Sequence, residues 1–168
     1  MPSPPLTPLA AAVLRVAPAP ERVLEVETGD GDGALFLARE FPAARVRGAD
    51  RDESLLRAAA ARVGLDPEGR IAFKPGGSSS LPYPNAHFDL VVQGRGRTAP
   101  AELARVLRPG GSLILFNRNA EALTGLRGLP LRRRLARRGI ELEADGTAGD
   151  GSFAVARRRG SDPAPGAD

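Results

Sequence analysis

The sequence predicts an α/β domain on a doubly wound, mainly parallel sheet. Two observations carry that expectation. From Arg22 onward, short apolar or β-branched runs alternate with segments of helical character. Near the carboxyl end, two final runs are joined by a short Gly- and Asp-rich segment, which reads as a hairpin and turns the last strand antiparallel.

The elements follow in order. Residues 1–20 are a Pro-rich segment with a short helix from Leu9 to Val16. Arg22–Glu27 (RVLEVE) is a strand that stops at glycines, and Gly33–Phe41 is a helix that Pro42 ends. Arg45–Ala49 is the second strand. Asp52 caps a helix over Glu53–Val63, with Gly64 just past its end. Arg70–Lys74 and Phe88–Gln93 are the third and fourth strands. Pro100–Leu107 is a helix closed by Pro109-Gly110-Gly111, and Ser112–Asn117 (SLILFN) is a strand apolar enough for burial on both faces. A helix over Leu129–Arg138 precedes two last strands, Ile140–Ala144 and Ser152–Arg157, joined by the loop Asp145–Gly151. The domain is expected over 21–159, with a frayed tail over 160–168.

Composition narrows the chemistry. At 168 residues and 42% hydrophobic content the chain can bury one core. There is no cysteine, which excludes disulfides, thiolate metal sites and a Cys nucleophile. His87 is the one histidine, so a His-rich zinc site or a Ser-His-Asp triad is not expected. All but one of the 24 basic residues (Lys74) are arginine, so the pI near 10.8 reflects arginine's pKa more than the net charge of +4. No apolar run approaches the roughly 18 residues of a membrane span. Met1–Pro5 has no basic side chain, and Pro8 and Arg15 break the apolar stretch that follows. No export signal is expected, and the cytoplasm is the expected compartment.

The first strand runs into Thr28-Gly29-Asp30-Gly31-Asp32-Gly33 and then a helix. Such glycines let a ligand approach the amides at a helix start. Asp50 ends the second strand, where a carboxylate can accept both hydroxyls of a ribose. Together these predict a nucleoside-containing ligand at the carboxyl edge of the sheet. Gly29-x-Gly31-x-x-Ala34 also satisfies a dinucleotide pattern, so a nicotinamide-dependent oxidoreductase and a turn that binds nothing stay open at this point.

Phe88-Asp89-Leu90-Val91-Val92, Leu81-Pro82-Tyr83 before it, and Glu102-x-x-Arg105-Val106-Leu107-Arg108-Pro109-Gly110-Gly111 after it resemble the class I S-adenosylmethionine-dependent methyltransferases. Gly48-Ala49-Asp50 and Leu55-Leu56-x-x-Ala59 match a further segment, and the resemblance spans Arg22 to Asn117. It implies a seven-stranded Rossmann-like sheet with an antiparallel last strand, S-adenosylmethionine as cofactor, and methyl transfer to an acceptor the sequence does not name. It also implies a cofactor-binding set. Glu25 stands near the methionine amino group, Gly29 and Gly31 fall in the glycine loop, and Asp50, with Arg51 beside it, meets the ribose. Ser78 or Ser79 would replace, more weakly, the usual adenine contact, and Gln93 flanks the methionine moiety and the transferred methyl. No catalytic residue is singled out; in-line methyl displacement rests mainly on positioning and desolvation.

Two positions depart from the family. Glu27 replaces the leading glycine of the loop, with Thr28 where a Cys is usual. Gly77 replaces an Asp that contacts the adenine. The Glu27 carboxylate would either pair with the cofactor's ammonium or block the pocket. The alternative function is therefore a non-catalytic methyltransferase-like scaffold acting through protein or acidic-partner contacts.

The remaining candidates read as structural. His87 is expected at the site's edge facing solvent, Asp30 and Asp32 as helix-capping charges, and Tyr83 as packing over the adenine or the loop beneath it. Arg127, Arg132, Arg133, Arg134, Arg137 and Arg138 face away from a Leu131/Leu135 stripe, and Arg157 to Arg159 close the last strand. An acidic partner such as RNA or a nucleotide is the functional reading of those arginines. The shortage of aromatic residues disfavours single-stranded nucleic acid.

Overall fold

The computed structural model describes residues 6–118 and 128–160. Residues 1–5, Arg127 and the tail from 161 lie outside that description.

Among the described residues, five helices and seven strands follow in chain order: α1 (Pro8–Val13), β1 (Arg22–Val26), α2 (Asp32–Glu40), β2 (Arg45–Asp50), α3 (Glu53–Val63), β3 (Ile71–Pro75), β4 (Phe88–Gln93), α4 (Pro100–Val106), β5 (Leu107–Asn117), α5 (Leu129–Ala136), β6 (Ile140–Ala148) and β7 (Gly151–Arg158). The strands form one sheet in the order β3-β2-β1-β4-β5-β7-β6. All neighbours pair parallel except β7, which runs antiparallel to both β5 and β6. The chain leaves β1 toward β2 and β3 on one side and returns to β4 and β5 on the other. The crevice between β1 and β4 is thus the switch point where α/β sheets bind ligands. Register aligns Val26 with Ala49 on one side and with Gln93 on the other, so the carboxyl ends of β1, β2 and β4 lie side by side.

Period-2 alternation splits the core into two layers. Val23, Leu90, Val92 and Ile114 face α1 and α2, where Leu9, Val13 and Leu37 meet them. Leu24, Val91, Leu113 and Leu115 face the other way, onto Leu103 and Val106 of α4 and Leu135 of α5.

Two motif segments hold this frame together. Asp89 Oδ2 accepts the backbone N–H groups of Glu21 (2.7 Å) and Arg22 (2.9 Å), and Arg108 Nη1 lies 2.8 Å from its other oxygen. Asp89 thus ties the start of β1 to β4 and β5. Arg105 donates to Glu102, to the carbonyl of Leu81 (3.0 Å) and to that of Tyr83 (2.7 Å), pinning the Leu81-Pro82-Tyr83 loop onto α4.

Several expected boundaries move. α1 starts at Pro8, where Thr7 caps it, and stops at Val13. The strand expected to include Glu27 ends at Val26, because Glu27 takes a left-handed conformation (φ 55°). The hairpin loop expected over Asp145–Gly151 is mostly strand: Asp145, Gly146 and Thr147 pair with Ala154, Phe153 and Ser152. As the edge strand, β6 alternates exposed and half-buried positions, so polar residues fit its outer face, and Gly146 leaves room for the Phe153 ring. Among the described residues no helix is long and apolar enough to cross a membrane.

Candidate functional site

The carboxyl ends of β1, β2 and β4 gather most of the residues singled out in the sequence. Glu25 is buried, and its carboxyl accepts from the Thr28 hydroxyl and from the backbone N–H of Ala34 in the first turn of α2. Burial is the dominant influence and pushes its pKa up to about 7, against the opposing effect of those two hydrogen bonds and of Arg95 and Arg118 nearby. Thr28 stands where the family usually has a Cys, and its hydroxyl is the partner that makes a buried Glu25 tolerable.

Gly29 and Gly31 both have positive φ (62° and 84°), the conformation the loop needs to turn into α2. Gly31 is itself the N-cap residue, with no side-chain cap bond. Neither Asp30 nor Asp32 makes a side-chain cap bond; Asp32 puts its charge in the first turn of α2, and both pair with Arg62 of α3. Asp50 is buried, and each of its oxygens holds a backbone amide: Gly29 N–H at 2.8 Å and Asp52 N–H at 3.0 Å. A carboxylate oxygen has two lone pairs, so acceptor capacity remains for a diol.

At the end of β4, the Gln93 amide nitrogen donates to the carbonyls of Arg95 (2.9 Å) and Arg97 (3.3 Å), while its Oε1 is buried without a partner. Phe116 packs its ring on Gly94, the residue that follows Gln93 in the chain. From there a cavity of about 410 Å³ opens among Leu9, Gly33, Phe36, Phe116, Arg118 and Gly151.

The centre of the site holds two side chains. The Glu27 carboxylate accepts the Ser78 backbone N–H at 3.0 Å and lies 3.5 Å from Arg51 Nη2. The Arg95 guanidinium lies over Gly29, 3.8 Å from Asp50 Oδ2. Sequence reading missed Arg95, whose signal was the Gly94-Arg95-Gly96 turn leaving a strand at the switch point.

Other expectations resolve away from the site. His87 precedes β4 and so sits at the opposite, amino-terminal edge of the sheet, beside Glu21, Arg22 and Arg47. Burial and these cations hold its pKa below the usual histidine range. Tyr83 is buried edge-on against Phe88, with its hydroxyl 3.4 Å from the Gly48 carbonyl. Arg157 and Arg159 pair with Glu143 and Glu141, and Arg158 donates to the carbonyls of Ala104 and Leu107. The described arginines of the α5 segment are exposed, while Leu135 is buried and Leu131 half-buried.

A family model described as "Methyltransferase domain" matches residues 23–111, which run from β1 through the Pro-Gly-Gly turn. The chain belongs to the class I S-adenosylmethionine-dependent methyltransferases. A demethylmenaquinone methyltransferase of Deinococcus radiodurans is 38% identical over 114 residues, covering 64% of this chain and 47% of that protein. The chain thus spans about half the length of that curated relative. A solved S-adenosylmethionine-dependent methyltransferase of Aquifex aeolicus superposes with a TM-score of 0.74 at 18% identity, covering 91% of this chain and 90% of the other. The cyclase SpnF superposes at 0.72 and 20% identity, covering 91% and 80%. At these identities the two structures speak for the fold alone.

S-adenosylmethionine is the cofactor of this methyltransferase family, and the donor set suits it. A buried carboxyl at Glu25 suits an ammonium, Asp50 suits a ribose, and the unpartnered Gln93 Oε1 offers a separate acceptor. The fit fails only at the centre, where Glu27 and Arg95 must withdraw.

Proposed function

We propose that this chain transfers the methyl group of S-adenosylmethionine to an apolar acceptor. The buried Glu25 carboxyl carries this reading, because a buried acid at the glycine loop calls for a cationic, hydrogen-bonding guest; the orphaned Gln93 oxygen at the end of β4 is a further unpaired acceptor. Glu25, Gln93, Asp50 and the loop amides from Gly29 to Gly31 would hold the cofactor, which when bound supplies an activated methyl on a sulfonium centre.

The protein's own part is placement. Gly33 touches Glu25 and Phe116 touches Gly94, so both residues link the ammonium-binding end to the 410 Å³ cavity. An acceptor lying there, between Phe36 and Phe116, would present its electron pair to the methyl carbon. Phe36 and Phe116 would orient the acceptor toward the methyl that the bound cofactor supplies. Leu9, Phe36 and Phe116 give that cavity an apolar side, with Asp32, Arg118 and Asp150 at its charged side. An apolar acceptor also accords with the class of molecule named for the Deinococcus relative.

Calorimetry with S-adenosylmethionine and S-adenosylhomocysteine tests this. Binding that Asp50→Ala weakens by about tenfold or more supports it. A second reading, a scaffold that no longer takes the cofactor, draws on the presence of Glu27 and Arg95 in the hollow. It predicts no heat at millimolar ligand, even in a Glu27→Gly/Arg95→Ala protein.

A further inference from the structure

The crevice between β1 and β4 contains a set of contacts that fit one another and none of which the family pattern supplies. Glu27 stands in a left-handed backbone conformation that suits glycine, yet carries a carboxylate. That carboxylate reaches the Ser78 amide at 3.0 Å and Arg51 at 3.5 Å. Two glycines make room for it. A side chain at Gly96 would meet the Glu27 Cγ at 2.8 Å, and one at Gly77 would meet the stem of Arg51 at 2.7 Å. The departures at 27 and 77 are therefore complementary: a carboxylate is missing beside the Ser78 amide at one position and present beside it from the other.

We propose that Glu27, with Arg95, is an internal occupant of the adenosyl hollow that the cofactor must displace, and that Glu27 thereby sets the cofactor affinity of this protein. The proposal rests on the methyltransferase reading for the identity of the guest. Glu27 holds an amide on the adenine side, and Arg95 covers Gly29 and faces the ribose-side carboxylate of Asp50. A guest using those groups competes with both. If the open form is a fraction of the molecules, apparent affinity falls by that fraction. Only the Arg95 side chain is largely solvent-exposed (62%, against 11% for Glu27), so Glu27 is the stronger hold.

The test uses the full chain as wild type, Glu27→Gly, Glu27→Gln and Arg95→Ala, each with its thermal melt recorded to establish folding. S-adenosylhomocysteine is titrated by calorimetry, and amide hydrogen exchange at Ser78 is followed without ligand. Expected are affinity about tenfold or more higher in Glu27→Gly, a smaller gain in Arg95→Ala, and faster Ser78 exchange in Glu27→Gly. Folded Glu27→Gly protein that binds the nucleoside, but no more tightly than wild type, overturns the proposal, as does Ser78 exchange that the substitution leaves unchanged. Should no variant bind the nucleoside while Ser78 exchange still accelerates, the internal contact stands and the methyltransferase reading falls. Glu27→Gln separates charge from space: an affinity gain in it as large as in Glu27→Gly assigns the hold to the carboxylate's charge.

Discussion

The Glu25 carboxyl occupies the space that any side chain at position 33 would need. One oxygen lies within van der Waals reach of where a Cβ on Gly33 would sit, and Glu25 cannot swing away because it is buried under the glycine loop.

Gly33→Ala is therefore expected to lose about 1–3 kcal/mol of stability, although alanine is the better helix former by about 1 kcal/mol. Urea unfolding of Gly33→Ala, Glu25→Ala and the double variant checks it. The double variant should lose clearly less than the sum of the singles; strict additivity would remove the contact from the account.

Stability should fall as pH rises across the Glu25 titration. Its folded pKa, about 7, lies above the unfolded value of 4.5, so between those values the native state holds a proton that the unfolded chain has released. The native state is thus favoured below 4.5 and loses that advantage up to pH 7, by about 3 kcal/mol at most. Glu25→Gln should flatten this slope, matching wild type near pH 4.5 and exceeding it at pH 8. Parallel curves from pH 4 to 8 would contradict the assignment.

Asp89 has a structural task despite lying in the most recognisable motif. It accepts two backbone amides and meets Arg108 at the amino end of the sheet, away from the cofactor residues. Asp89→Ala is expected to cost about 3 kcal/mol in chemical unfolding while changing S-adenosylhomocysteine affinity less than about twofold. A large affinity loss in folded protein would place it in the site instead.

Arg105 holds the Leu81-Pro82-Tyr83 loop by two carbonyls, and Glu102 takes the Leu81 amide at 2.9 Å. Arg105→Met should speed hydrogen exchange at Leu81 and leave exchange in β1 and β4 unchanged. Hydrogen bonds from Arg105 hold the Glu102 carboxyl below the usual range, so its contribution is lost as pH falls through that lowered value. Uniform acceleration across the sheet would mean that Arg105 supports the whole fold rather than the loop.

Much of this protein was legible one residue at a time. Asp52 caps α3 with bonds to the Ser54 and Leu55 amides, Gly64 follows that helix, and Phe88–Gln93 is a strand with the expected bounds. Those are local signals, decided by backbone hydrogen bonding and hydrophobic periodicity. The polar end of β6 was not legible, since Asp145–Ala148 becomes strand only because β7 offers a ladder to pair with.

The sequence by itself determined the order of the elements, the glycine loop and the acid at 50, because chain-local chemistry specifies each; the acid at 25 came through the family resemblance. Tertiary structure alone decided how the departures at 27 and 77 relate. Those positions are 50 residues apart in sequence, and the Glu27 carboxylate meets the Ser78 amide only because parallel pairing of β1, β2 and β3 brings their carboxyl ends to one edge. It also decided that Arg95 lies over Gly29, a contact across the switch point that no spacing encodes. Whether a carboxylate welcomes a guest or takes its place depends on what faces it across the crevice, and only the folded sheet sets that neighbour.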